Sequence, residues 1–177
     1  LNNQTVHPHG VVFFGERFNM SSKNQEVTIR TPSGFWEIIR TFGDINDPDF
    51  YKKNIVLIKL PYDLVYSGKP VKRTQCHKLL ADTFVRVFET ILSEKLQDEA
   101  REFGGIYADR PIRGYPKYPS THSWGIAIDL EPTKNPLGSK GKMHKDIVRI
   151  FKDHGFSWGG DFKYRLDPMH FQFAKNY

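Results

Sequence analysis

The sequence predicts an α+β fold, an antiparallel sheet with one long helix packed on a face. Two periodicities carry that expectation. Residues 126–130 and 169–173 alternate in the way that strands do, with Ile126, Ile128 and Leu130 on one face and Met169, Phe171 and Phe173 on another. From about Thr74 to Ala100, by contrast, Leu80, Phe84, Val87, Phe88, Ile91, Leu92 and Leu96 recur at helical spacing. The composition supplies a core for both: of 177 residues, 38% are hydrophobic and 14% aromatic, which places the chain among globular rather than disordered proteins.

Taken in order, residues 1–50 show no repeat and little periodicity. His7-Pro8-His9-Gly10 reads as a surface loop because Pro and Gly break regular structure. Val11–Phe14 and Val27–Ile29 read as short strands, and Phe35–Ile39 as a short helix or strand. A turn-rich loop covers Gly43–Pro48. This part is a linker, a small subdomain or an extension of the sheet, and residues 51–177 hold the main domain; a single domain over 1–177 is the other division.

Ile55–Leu60 reads as a buried strand ended by Pro61, followed by a turn at Gly68-Lys69-Pro70. Thr74 then caps the long helix. Cys76 and His77 fall on its first turn, where neighbours in sequence do not face one another, so a thiol–imidazole pair is not expected and both residues read as structural. Phe103–Asp109 reads as a strand, Pro132–Gly141 as a loop, and residues 143–154 as a second helix with Ile147, Ile150 and Phe151 inward and Gly155 as its stop. His144 and His154 read as exposed residues of that helix.

The chemistry concentrates in two stretches. In Ser120-Thr121-His122-Ser123-Trp124-Gly125-Ile126-Ala127-Ile128-Asp129-Leu130, a carboxylate stands in a buried strand, which is costly unless it is paired. A metal ion would pair it, with His122 as a second ligand. His122 lies seven positions ahead of Asp129, so one straight strand would point them apart; His122 must lie in a bend before the strand, with Gly125 supplying the turn. In Asp167-Pro168-Met169-His170-Phe171-Gln172-Phe173, His170 and Gln172 share the face away from the core. His122, Asp129 and His170 together offer a three-ligand N/O site, the number usual for catalytic zinc with one position left for water.

These two motifs, S-x-H-x-x-G-x-A-x-D and D-x-M-H-F, resemble those of the zinc D-alanyl-D-alanine carboxypeptidases and L-alanyl-D-glutamate endopeptidases, the VanY-like peptidases and phage endolysins of the Hedgehog/DD-peptidase fold. The similarity runs from about Lys69 to Phe173. It implies one zinc ion on His122, Asp129 and His170, and Asp167 as catalytic base, where many members carry the longer glutamate. It also implies an arginine that contacts the substrate carboxylate; Arg110 fits best and Arg113 second, since a guanidinium fork binds carboxylate in bidentate fashion. A W-G-G-D-like segment borders the cleft in similar proteins, which makes Trp158 a candidate wall of the substrate pocket.

The expected activity is hydrolysis of a stem-peptide bond in bacterial peptidoglycan, with L-alanyl-D-glutamate ahead of D-alanyl-D-alanine. A zinc-bearing but inactive wall-binding module is the alternative of the same fold. A basic, aromatic-rich nucleic-acid binder is the third reading, set aside because it leaves the ordered ligands and Asp167 without a purpose. The net charge of +6 suits an anionic wall polymer. No stretch of about 18 apolar residues is present, so no membrane span is expected. One cysteine excludes an internal disulfide. No signal peptide is visible, and action at the bacterial wall as a monomer, phage-encoded or secreted to the periplasm or beyond, is the expectation.

Overall fold

A computed structural model describes residues 29–177. The strand expected at Val11–Phe14 and the His7–Gly10 loop lie outside the described residues, as does most of that expected at Val27–Ile29. The fold is mixed α and β with antiparallel sheets. In chain order the elements are α1 (Gly34–Phe42), α2 (Phe50–Asn54), β1 (Ile55–Tyr66), β2 (Lys69–His77), α3 (Ala81–Ser93), β3 (Phe103–Gly105), β4 (Pro111–Ile112), β5 (Tyr115–Pro119), β6 (Ala127–Leu130), α4 (Lys145–Asp153), β7 (Ser157–Trp158) and β8 (His170–Gln172).

The sheet that carries the two motifs has four strands in the order β3-β6-β8-β7. β6 and β8 run antiparallel with Ala127 opposite Gln172, Ile128 opposite Phe171 and Asp129 opposite His170. The register sets the chemistry directly, because residues directly opposite share a face. Asp129 and His170 come together on one side, and Ile128 and Phe171 are fully buried on the other. Phe171 stacks on Phe151 of α4 with ring centroids 4.2 Å apart, so the helix seals the apolar face behind the site.

The long helix expected from Thr74 to Ala100 is shorter. Residues 74–77 instead complete β2, with Ile58 opposite Thr74 and Ile55 opposite His77. Cross-strand pairing there overrides local helical propensity. A 3-10 turn at Lys78–Leu80 leads into α3, which ends at Ser93. Lys95 takes φ 60°, and the Leu96 N–H reaches back to the Ile91 carbonyl at 2.9 Å, a left-handed helix stop made without glycine. Most of the expected apolar face is buried, with Leu80, Phe84, Val87, Phe88 and Ile91 in the core, but Leu92 is exposed and Leu96 lies beyond the end of the helix, only partly buried. α3 packs chiefly on β1 and also touches α4.

β1 also departs from expectation by continuing through Pro61 to Tyr66. The ladder with β2 shifts register between Lys59 and Leu64, and the proline sits in that irregular stretch, where no ladder hydrogen bond is lost. The expected strand Phe103–Asp109 shrinks to three residues. Phe35–Ile39 resolves as helix, since Ile38 and Phe42, four residues apart, both enter the core. The Phe42 carbonyl accepts from His77 Nε2 at 2.9 Å, and the Gly43 carbonyl from Trp124 Nε1 at 2.9 Å, which ties α1 to the first motif. Cys76 and His77, placed above on a helix, are buried at the end of β2; burial pushes the thiol up to about 12 and the imidazole down to about 4. His144 and His154 are half-buried at the two ends of α4 rather than exposed along it.

Candidate active site

The first motif folds as the sequence requires. Ser120 caps a 3-10 turn, Thr121–Trp124, and Gly125 ends it at φ 68°. A Cβ on Gly125 would lie 2.8 Å from the His77 backbone nitrogen, so both conformation and space demand glycine. The turn rotates His122 out of the line of β6 and onto the face that bears Asp129. Behind Asp129, β3 approaches so closely that a Cβ on Gly104 would lie 2.6 Å from the Asp129 Cβ. Glu131, buried just beyond β6, holds that approach by accepting from the Arg101 and Glu102 N–H groups at 2.7 and 2.6 Å.

His122 Nε2 lies 3.2 Å from Asp129 Oδ1 and 3.2 Å from His170 Nδ1, and His170 Nδ1 lies 2.9 Å from Asp129 Oδ1. Their hydrogen-bond partners decide what those atoms present. His122 Nδ1 faces the Ile106 carbonyl at 2.7 Å, and His170 Nε2 faces Gln172 Oε1 at 3.1 Å. A carbonyl oxygen only accepts, so each ring carries its proton there and turns a lone pair toward the other ring. Two imidazole lone pairs and a carboxylate therefore converge in buried surroundings with no donor between them. Tetrahedral ligands at about 2.0–2.1 Å from zinc stand roughly 3.3 Å apart, close to the spacing found here. The residues fit a divalent cation by donor type, orientation and distance.

Charge in the cluster reflects the same convergence. Burial raises the Asp129 carboxyl, but His122 and His170 outweigh it and hold the group well below the usual carboxylate range. Burial disfavours charge on His170, yet its contact with Asp129 raises its proton affinity above the ordinary value.

The triad opens into a cavity of about 230 Å³. Asp167 is in its wall, placed by a turn at Pro168 in which the His170 N–H returns to the Asp167 carbonyl at 2.9 Å. Its Oδ1 is buried and has no hydrogen-bond partner among the described residues. Burial raises its proton affinity; Asp129 adds to the effect, and His170, His122 and Arg165 oppose it.

Arg110 and Arg113 both line the cavity. Arg110 Nη2 stands 3.9 Å from Asp129 Oδ2, and Ser123 clamps its backbone, accepting from the Arg110 N–H at 3.1 Å and donating to its carbonyl at 2.9 Å. The Arg113 carbonyl accepts from Arg165, whose guanidinium lies 5.7 Å over the Tyr115 ring. Trp158 stands behind the wall rather than in it. Its indole donates to the Pro168 carbonyl at 2.8 Å and so steadies the turn that presents Asp167. Sequence reasoning missed Thr121, Gln172 and Arg165 as parts of the site. Gln172 alternates with His170 along β8, which was a usable signal; Arg165 had none.

A family model described as D-alanyl-D-alanine carboxypeptidase matches residues 113–173. The match supports the resemblance carried by the two motifs, and its span contains His122, Asp129, Asp167 and His170 but not Arg110. It makes a hydrolase of the metallopeptidase type the class to which this site is similar. No curated protein and no solved structure matches the chain.

Proposed function

We propose that this chain is a zinc peptidase of the Hedgehog/DD-peptidase type that hydrolyses an amide of the bacterial peptidoglycan stem peptide. The observation that carries the reading is the convergence of three metal-ligand atoms beside a buried carboxylate oxygen that has no hydrogen-bond partner among the described residues. His122 Nε2, His170 Nδ1 and Asp129 would hold the ion. Zinc bound there supplies Lewis acidity toward an amide carbonyl and lowers the pKa of water.

The remaining steps belong to the chain. Asp167 takes the proton from the attacking water at its free Oδ1 and returns it to the leaving amine. Its raised proton affinity suits both halves of that exchange. Arg110, beside Asp129, binds a substrate carboxylate and fixes the peptide across the site, with Arg113 the second candidate. Trp158 acts through Pro168 by holding Asp167 in place.

Two bonds compete. The description of the matched family favours D-alanyl-D-alanine. The three arginines in the cavity wall, Arg110, Arg113 and Arg165, favour a peptide with more than one carboxylate, as at an L-alanyl-D-glutamate junction. We take the described residues as one catalytic unit that works as a monomer at the bacterial wall, whether phage-encoded or exported. Digestion of intact sacculi with zinc-loaded protein tests the reading. A new amino terminus on D-glutamate identifies the endopeptidase and free D-alanine the carboxypeptidase. Stems left intact would contradict both and favour an inactive wall-binding module.

A further inference from the structure

We propose that Gln172 is the positioning residue that makes His170 a metal ligand, by fixing the ring proton on Nε2 and so freeing Nδ1. The inference rests on the metal-site reading above. Gln172 is buried, and its amide can face His170 in only one sense. Its Nε2 donates to the Tyr177 carbonyl at 3.3 Å, an atom that cannot donate in return. The amide oxygen is therefore turned inward, where it accepts from His170 Nε2 at 3.1 Å and from the Thr121 hydroxyl at 3.1 Å. Thr121 Oγ1, its own proton given to Gln172, lies 3.3 Å from the same His170 nitrogen as a second acceptor.

The reversed amide would set two oxygens against each other at Tyr177 and present a donor to His170 Nε2. His170 would then carry its proton on Nδ1, 3.2 Å from His122 Nε2, and close the site to a cation. His122 gains the same service from a backbone atom, the Ile106 carbonyl, which no side-chain substitution removes. His170 depends on a side chain. Partners of this kind, which orient a ligand without touching the metal, are worth about 10- to 100-fold in affinity.

Zinc affinity is to be measured by chelator competition for the wild type, Gln172→Leu and Gln172→Glu, alongside thermal unfolding of the metal-free proteins. Gln172→Leu is expected to weaken binding by about 10- to 100-fold; Gln172→Glu, which keeps an oxygen against Nε2 but sets its second oxygen against that of Tyr177, is expected to bind zinc more tightly than Gln172→Leu. Long-range proton–nitrogen spectra of the zinc-loaded wild type are expected to place the His170 proton on Nε2 and the His122 proton on Nδ1. They decide the matter even if Gln172→Leu does not fold. A wild type that binds zinc, with Gln172→Leu binding equally well or with the His170 proton on Nδ1, overturns the role of Gln172 and leaves the metal site standing. A wild type that takes up no zinc overturns both.

Discussion

Asp167 Oδ1 is buried with no hydrogen-bond partner among the described residues, and burial raises the proton affinity of its carboxyl. A carboxylate kept unsatisfied in that way is costly, and the cost is understandable if the free oxygen must accept a proton during turnover. Asp167→Asn is expected to keep zinc and lose about two to four orders of magnitude in turnover, the range for a positioned acid–base group. Loss of zinc together with activity would make Asp167 a ligand instead. Arg110→Ala is expected to leave zinc in place and raise KM by about tenfold or more for carboxylate-bearing peptides, since charge-assisted hydrogen bonds are worth about 1.5–3 kcal/mol. Steady-state kinetics of the two alanine variants check this. The same loss in Arg113→Ala, with Arg110→Ala unaffected, would move the role three residues along the chain.

At the scale of elements, the close approach of β3 to β6 is set by Gly104, whose missing side chain leaves room for the Asp129 Cβ. Gly104→Ala is expected to cost about 1–3 kcal/mol by overpacking and to weaken zinc binding, measured by denaturant unfolding and chelator competition. His77, which joins β2 to α1, gives a pH prediction. Its folded value, about 4, lies below its ordinary 6.5, so the unfolded chain binds more protons between those limits. Stability is therefore fully present above 6.5 and falls as pH drops toward 4; His77→Gln is expected to flatten the slope of denaturation midpoint against pH in that window. An unchanged slope would assign the acid sensitivity elsewhere.

The same elements show what the sequence revealed and what it concealed. The alternation at Ile126–Leu130 and across His170–Phe173 was local and strong, so both strands and the faces of Asp129 and His170 were readable, as was the bend that Gly125 imposes; Met169, expected on the core face, lies just before β8 and lines the cavity instead. The pairing of residues 74–77 with β1 was not, because its cause lies about twenty residues away in β1 and competes with a good helical pattern. The end of α3 was hidden for a similar reason: Lys95 adopts a conformation for which its residue type gives no signal. Partners such as the Ile106 carbonyl and Arg165 come from loops, where no periodicity places them.

For the whole molecule, α1 and α2 contribute Ile38, Phe42 and Phe50 to the same core as the sheet, so the first described elements support the site from behind. No helix among the described residues is long and apolar enough to cross a membrane. A net charge of +6 and a cavity lined by Arg110, Arg113 and Arg165 fit an anionic substrate polymer, and digestion of sacculi is expected to slow as salt screens that attraction. Rates unchanged from low to high ionic strength would remove charge as a guide to the substrate.

The expectations for zinc binding and turnover depend on one ion at His122, Asp129 and His170. Elemental analysis of zinc per chain, in the purified wild type and in a His122→Ala, His170→Ala double variant, tests that most directly. One zinc in the wild type and none held stoichiometrically by the double variant is the predicted result. A double variant that retains the full complement, or a wild type that holds none after exposure to zinc, would contradict it.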